Sequence, residues 1–358
     1  AMAAGVVHAA NHTAFGVPSP RVSRRGSLGA ARRWNENSIF VGAHRKQMAS
    51  APLGRATAAA SAVDDDVPEL PDYDIVQLGS LEVSAMALSL RGWVGGSDEA
   101  NTYVAAVDRG FTLLGVHAPS ELALAREYGH YWSLSDASSL PGVRPPVVYA
   151  VIEVGVPDGP SVAESMQAHS IAAGGATPDV ACLRPAKGAD LSAVAQSVAT
   201  AIELGACPAV IAVDGYASVD LEHLVTTLNR NVPDARVAFN RVAFSLANNA
   251  VALAVLETCK RLDVGVVACD PLGNGACVTD ATHPEHDVGQ VQLLSFLGAM
   301  VGGGVQRSPT QVGLNWVISK GCVPEIETRM PTRVWECGGG MLWRLDENAV
   351  GIVDERCA

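Results

Sequence analysis

From Val76 onward the chain alternates short apolar runs with longer stretches in which apolar residues recur every three or four positions. The first run, VQLGSLEVSAMALSL, breaks at Gly79 and Ser80, which predicts a hairpin followed by a first strand. Seven further runs predict strands: TLLGV (112–116), PVVYAVI (146–152), PDVACL (178–183), PAVIAV (208–213), ARVAFN (235–240), VGVVA (264–268) and CVPEI (322–326). Between them lie helical patterns with recognisable ends. Ser97 is placed as an N-cap with Asp98 and Glu99 in the first turn, and Gly110 closes that helix. DLSAVAQSVATAIELG ends at Gly205, Ser218 is placed as the cap of SVDLEHLVTTLNR, and Ser308 with Pro309 opens SPTQVGLNWVISKG. Eight short strands, each followed by a helix, predict an α/β chain folded as a (β/α)8 TIM barrel with an N-terminal β-hairpin. The competing architecture, a doubly wound open sheet, calls for a glycine-rich turn after its first strand, and this chain has none. A barrel places its working groups at the carboxyl ends of the strands, so those positions are the ones to read.

Residues 1–65 break the pattern. They are rich in Ala, Ser, Gly and Arg; residues 1–63 contain eight Lys/Arg and one acid, Glu36, which leaves the rest of the chain at −19 of the overall −12. That composition resembles an organellar transit peptide, and HTAFGVPSPR resembles the Phe-centred motif that opens plastid transit peptides of red-lineage algae. The expectation is a basic segment over 1–65, a domain over 66–358, and a plastid location, in the stroma or on the stromal face of a thylakoid assembly, with the mitochondrial matrix as the alternative. VDDDVPELPDYD marks the boundary. So acidic a domain is a poor ligand for nucleic acid or an anionic membrane. No apolar run of about 18 residues suggests a transmembrane segment. The eight cysteines, all between Cys182 and Cys357, form no CxxC and mostly sit in apolar runs, so no disulfides and no zinc site are expected.

Several stretches resemble the aldo-keto reductases in order and spacing from about Val76 to Glu355. VQLGSLEVSAMALS is similar to that family's N-terminal hairpin, AAVDRGFTLLGV to its second strand and preceding helix, and CKRLDVGVVACDPLGNG to its seventh strand and loop. SPTQVGLNWVISKGCVPEI followed by WRLDENAVGIVDE resembles the last barrel helix, the eighth strand and the C-terminal helix. The resemblance implies hydride transfer from NADPH to a carbonyl, with a tyrosine acid tuned by a lysine and an aspartate, and a histidine orienting the carbonyl.

Laid on this chain, the four catalytic positions fall on Gly115, Ser120, Ile152 and Arg184, none of which can perform its role. Glu153 stands beside Ile152, and His117 lies in the loop with no lysine or carboxylate visibly placed to tune it. The pair that holds the nicotinamide amide falls on Asp214 and Gly215, the Asn-Gln pair after the sixth strand on Asn240 and Arg241, the ring that stacks on the nicotinamide on Cys269, and a small hydroxyl on Asp270, whose carboxylate would repel a pyrophosphate. At the adenosine end Thr328 and Arg329 match the 2′-phosphate contacts, and Arg333 falls where the adenine is touched, with Glu327 and Cys337 as departures. The implied cofactor set is therefore Asn240, Thr328, Arg329 and Arg333, holding NADPH if any. His283 and His286 with Glu285 lack a further metal ligand, and the glycine runs at 302–304 and 338–340 follow no strand and precede no lysine. Three functional expectations follow: a pseudoenzyme serving as a structural or regulatory subunit with protein partners in a plastid assembly; an NADPH-dependent carbonyl oxidoreductase with non-standard residues such as His117, Glu153 or Cys269; or an NADPH-binding redox sensor.

Overall fold

The computed structural model describes residues 74–132, 144–247, 249–275, 288–301 and 305–357, all within one compact unit, Pro68–Ala358. The expected basic segment 1–65, the loop carrying His283, Glu285 and His286, and the glycine run at 302–304 lie outside the described residues. A hairpin comes first, β1 (Ile75–Leu78) and β2 (Leu81–Ser84), turning through Gly79 and Ser80. Gly79 has φ 54°, and a Cβ there would lie 2.1 Å from the Ala238 carbonyl oxygen, so both the turn and the close approach require glycine.

The alternation follows: β3 (Ala87–Ser89), α1 (Ser97–Asp108), β4 (Leu113–Val116), α2 (Pro119–Trp132), β5 (Val147–Val154), α3 (Val162–Ala172), β6 (Val180–Pro185), α4 (Leu191–Glu203) and β7 (Val210–Asp214). It continues with α5 (Ser218–Asn231), β8 (Arg236–Ala243), α6 (Ala250–Arg261), β9 (Gly265–Cys269), α7 (Val288–Val301), α8 (Pro309–Ser319), β10 (Val323–Glu327), α9 (Pro331–Gly338) and α10 (Glu347–Cys357). β3 to β10 form a closed parallel barrel, with β10 hydrogen-bonded to both β3 and β9. The predicted (β/α)8 barrel with its hairpin is the observed fold.

Two apolar clusters build it. Strand residues facing outward pack with the helices in the larger one, and inward-facing residues fill the lumen together with Leu78 and Val83 of the hairpin, which plugs its amino-terminal end. Capping was read correctly at Ser308, whose hydroxyl accepts from Gln311 N in a capping box. It was misplaced at Ser97 and Ser218. Each is the first residue of its helix, after Gly96 and Ala217, and the Ser218 hydroxyl donates instead to Ala254 O. Glu99 reaches backward to accept from Val94 N and Gly95 N, which satisfies the turn ahead of α1.

The strands also run past their predicted ends. Those expected to stop at residues 152, 183, 213, 240 and 326 continue to 154, 185, 214, 243 and 327. In each the extension carries the chain into polar residues, and of these Arg184, Asp214 and Arg241 build the site.

Candidate active site

Because side chains alternate along a strand, the lumen face can be read outward from the buried cluster. Ala87 leads to Ser89, Leu113 to Gly115, Tyr149 and Val151 to Glu153, and Val180 and Cys182 to Arg184. Likewise Ala212 leads to Asp214, Phe239 to Arg241, Val267 to Cys269 and Val323 to Glu325. The upper layer at the carboxyl ends is therefore polar and charged.

Its members bind one another. The Tyr149 phenol donates to Glu325 Oε1 at 2.6 Å, and Arg241 Nε donates to Glu325 Oε2 at 2.6 Å. Arg241 NH1 donates to Asp214 Oδ1 at 3.2 Å, and Arg184 grips Asp214 Oδ2 with Nε at 2.6 Å and NH2 at 2.5 Å. One chain thus crosses the barrel, Tyr149 to Glu325 to Arg241 to Asp214 to Arg184, with two carboxylates balanced by two guanidiniums. The side chains of Glu325, Asp214 and Arg241 are 2%, 8% and 9% exposed, whereas Arg184, at 40%, forms the outer end. Burying unpaired charges would be costly; here each carboxylate is paired and hydrogen-bonded.

Electrostatics follow from this geometry. Burial pushes the Glu325 carboxyl up, but the His117 imidazole beside it, the Arg241 charge and the Tyr149 phenol outweigh burial and hold it down at about 2. Burial, reinforced by the Glu325 charge, pushes Tyr149 well above the ordinary phenol range. A phenol so placed holds its proton and is no acid for a substrate. Burial also raises the Cys269 thiol to about 11.

His117 Nε2 lies 3.9 Å from Glu325 Oε1 and 3.5 Å from Ser89 Oγ, while its Nδ1 is buried without a partner. Nothing along the sequence places a carboxylate to tune His117; the barrel brings Glu325 to it from 208 positions away, in β10. The loop is fixed by Glu121, which accepts from His117 N at 2.6 Å, from Ala118 N at 3.0 Å and from Gly92 N at 2.6 Å.

The four catalytic positions inferred from the resemblance do not converge. Gly115 and Arg184 face the lumen. Ser120 is the second residue of α2 and exposed, because β4 is followed by only two loop residues before that helix begins. Ile152 points outward into the helix-packed cluster, and its neighbour Glu153 takes the lumen face. At Gly115 a Cβ would lie 2.5 Å from both Glu325 Oε1 and the Tyr149 hydroxyl oxygen. The space of any longer side chain there is already filled.

The implied cofactor residues are also engaged elsewhere. Asn240 faces away from the lumen, accepting from Tyr216 N at 3.3 Å and donating to Tyr216 O at 2.8 Å, so its amide secures the loop after β7. Arg329 donates to the Gly92 carbonyl and lies 3.6 Å from Glu99, and Arg333 donates to Glu336 at 2.9 Å. Thr328 Oγ1 accepts from Met330 N. Arg329 and Arg333 remain about half exposed at the barrel rim, but the nicotinamide end has neither a free amide at Asn240 nor an aromatic platform at Cys269. The residues present do not fit the nicotinamide of NADPH.

Tyr149 and Glu325 were missed in the sequence because each sits inside an apolar run read only as a strand. Alternation along PVVYAVI and CVPEI would have put both on one face with Glu153 and Glu327.

Two structures of aldo-keto reductase from Klebsiella pneumoniae, one in complex with NADPH and one with NADP and acetate, match this chain. The TM-score is 0.59 for each, over 80% of this chain and 95% of theirs, with 16% and 15% sequence identity respectively. The chain has the aldo-keto reductase fold. Identity so low establishes the scaffold and leaves the chemistry to the residues. No family model and no curated protein matches the sequence.

Among the described residues no cluster suits a metal ion and no helix is long and apolar enough to cross a membrane, and Cys182, Cys207, Cys259, Cys269, Cys322 and Cys337 are free thiols.

Proposed function

We propose that this chain is a degenerate member of the aldo-keto reductase family, a pseudoenzyme serving as a structural or regulatory subunit of a plastid assembly. The observation that carries the reading is the closed ion-pair chain from Tyr149 to Arg184, which fills the layer where a reductase of this fold receives its substrate carbonyl. A catalytic site leaves donors unsatisfied until substrate arrives; here Glu325, Arg241 and Asp214 satisfy one another. The basic, acid-poor segment 1–65 supports import into a plastid, with the mitochondrial matrix as the alternative. Purified protein is expected to reduce neither aldehydes nor quinones with NADPH, and to run with a large complex when stromal extract is separated on a native gradient. Turnover at rates near those of working reductases would overturn the catalytic part, and migration as a free barrel the assembly part.

A second reading keeps an oxidoreductase with relocated chemistry. It is favoured by His117, held by Glu121 between Ser89 and Glu325 with a ring nitrogen unpartnered. A third, an NADPH-binding redox sensor using Arg329 and Arg333, has less support because both arginines are paired to carboxylates. Tryptophan quenching by NADPH separates these readings from the first: saturation below millimolar cofactor favours them, and its absence removes both.

A further inference from the structure

On the outer wall of the barrel, away from the lumen, two arginines stack on the tryptophans that flank the glycine run Gly338 to Gly340 at the end of α9. Arg109 follows α1, and its stem lies against Gly338, where a Cβ would come within 2.5 Å of Arg109 Cγ. Its guanidinium sits over the Trp335 ring, 5.5 Å from the centroid. Arg307 precedes α8 and sits over the Trp343 ring at 5.3 Å, and the Trp343 indole donates to Gly339 O at 2.9 Å. Trp335 and Trp343, on either side of this short stretch of backbone, therefore each carry a guanidinium.

What is missing is a counter-charge. Among the described residues no carboxylate comes within 4 Å of either guanidinium, and both Nε atoms are buried without a hydrogen-bond partner. The neighbouring Glu336 is occupied, accepting from Arg333 NH1 and from the Ser308 hydroxyl. Burial and the Arg307 charge both lower the pKa of Arg109, as expected of two like charges facing one another. In a chain with 37 Asp and Glu against 25 Lys and Arg, a pair with no acid among the described residues stands out. Stacking on tryptophan orients a guanidinium but does not neutralise it, and unused guanidinium donors match the oxygens of a tetrahedral oxyanion.

The geometry points to an oxyanion site formed by Arg109 and Arg307 on Trp335 and Trp343, taking a phosphate group, either free or as a small phosphate monoester. It is independent of the lumen and of the Arg329 rim. The test uses the full chain, with thermal melting and calorimetric titration against inorganic phosphate and methyl phosphate, and with chloride at matched ionic strength as control. Saturable stabilisation by phosphate beyond chloride is expected, weakened at least about tenfold in Arg109→Met and Arg307→Met, which keep most of each stem, and unchanged in Arg126→Ala, which removes an arginine paired on the surface with Asp179. Methyl phosphate binding as tightly as inorganic phosphate assigns the site to esters, and weaker binding to the free ion. Should a methionine variant fail to fold, Arg109→Lys, which keeps the charge and loses the planar fork, is expected to fold and to bind more weakly than the parent. A phosphate response equal to that of chloride, or one that survives both methionine variants or Arg109→Lys undiminished, overturns the proposal.

Discussion

Tyr149 and Glu325 lie 176 positions apart and share a 2.6 Å hydrogen bond in the middle of the barrel lumen. Glu325 is also the hinge of the charge chain, since the same carboxylate takes Arg241 at 2.6 Å. Replacing it therefore strands a buried guanidinium on one remaining partner, Asp214. Glu325→Gln is expected to destabilise the barrel by about 3–5 kcal/mol, the cost of breaking a buried ion pair from one side. Tyr149→Phe, which removes one hydrogen bond to a charged acceptor, is expected to cost about 1.5–3 kcal/mol. Urea denaturation of both variants and of the double variant checks this, and the double should cost less than the sum because the two groups share one contact.

Acid stability should report the same carboxylate. Glu325 has a folded pKa near 2 against an ordinary 4.5, so the unfolded chain binds its proton first as pH falls. The stability it contributes is fully present above pH 4.5 and drains away between there and pH 2, at up to ~1.4 kcal/mol per pH unit. Asp74, also held low in spite of burial by its Arg344 pairing, adds a smaller term of the same sign. In Glu325→Gln the acid limb of a stability curve should flatten, leaving the Asp74 part; an unchanged slope would contradict the assignment.

At the other end of the scale the buried thiols set the limit. Burial raises Cys207, Cys322 and Cys337 to about 12 and Cys259 to about 11, against an ordinary value of 9.0. Above pH 9 the unfolded chain loses these protons and the folded chain keeps them, so stability is expected to fall steadily from pH 9 upward. Cys207→Ala and Cys337→Ala together should lower stability at neutral pH yet make it less dependent on pH above 9, measured by thermal melting from pH 7 to 11.

The barrel was legible in the sequence because strand and helix periods differ and the runs were bounded by Gly110, Gly205 and Ser308. The lumen was not, for a physical reason. A strand was taken to end where its apolar run ended, whereas Arg184, Asp214 and Arg241 belong to the strands because they neutralise one another inside. Position by position, the resemblance placed Gly115 and Arg184 on the lumen face but assigned Ile152 to the wrong side of the sheet and Ser120 to a loop that is already helix. Pairing across the barrel, which gives Tyr149 and Glu325 their role, has no local signature: partners so far apart along the chain become visible only when the barrel closes.

Gly115 offers the sharpest test of how tightly the upper layer of the lumen is filled. A Cβ at this position meets Glu325 Oε1 and the Tyr149 hydroxyl at 2.5 Å and Tyr149 Cζ at 2.6 Å. Neither neighbour is a free end, since both are hydrogen-bonded and fully enclosed. Gly115→Ala is therefore expected to destabilise by about 1–3 kcal/mol through overpacking. Gly115→Asp adds a carboxylate beside that of Glu325 and should cost more, with no gain in NADPH-dependent turnover. Pairing Gly115→Asp with Glu325→Gln and Tyr149→Phe removes the like charge and the phenolic oxygen, so the triple variant should cost less than the three single changes added together. Melting temperatures of the four chains order these effects: a Gly115→Asp variant as stable as the parent would mean that the lumen is looser than the 2.6 Å contact between Tyr149 and Glu325 requires.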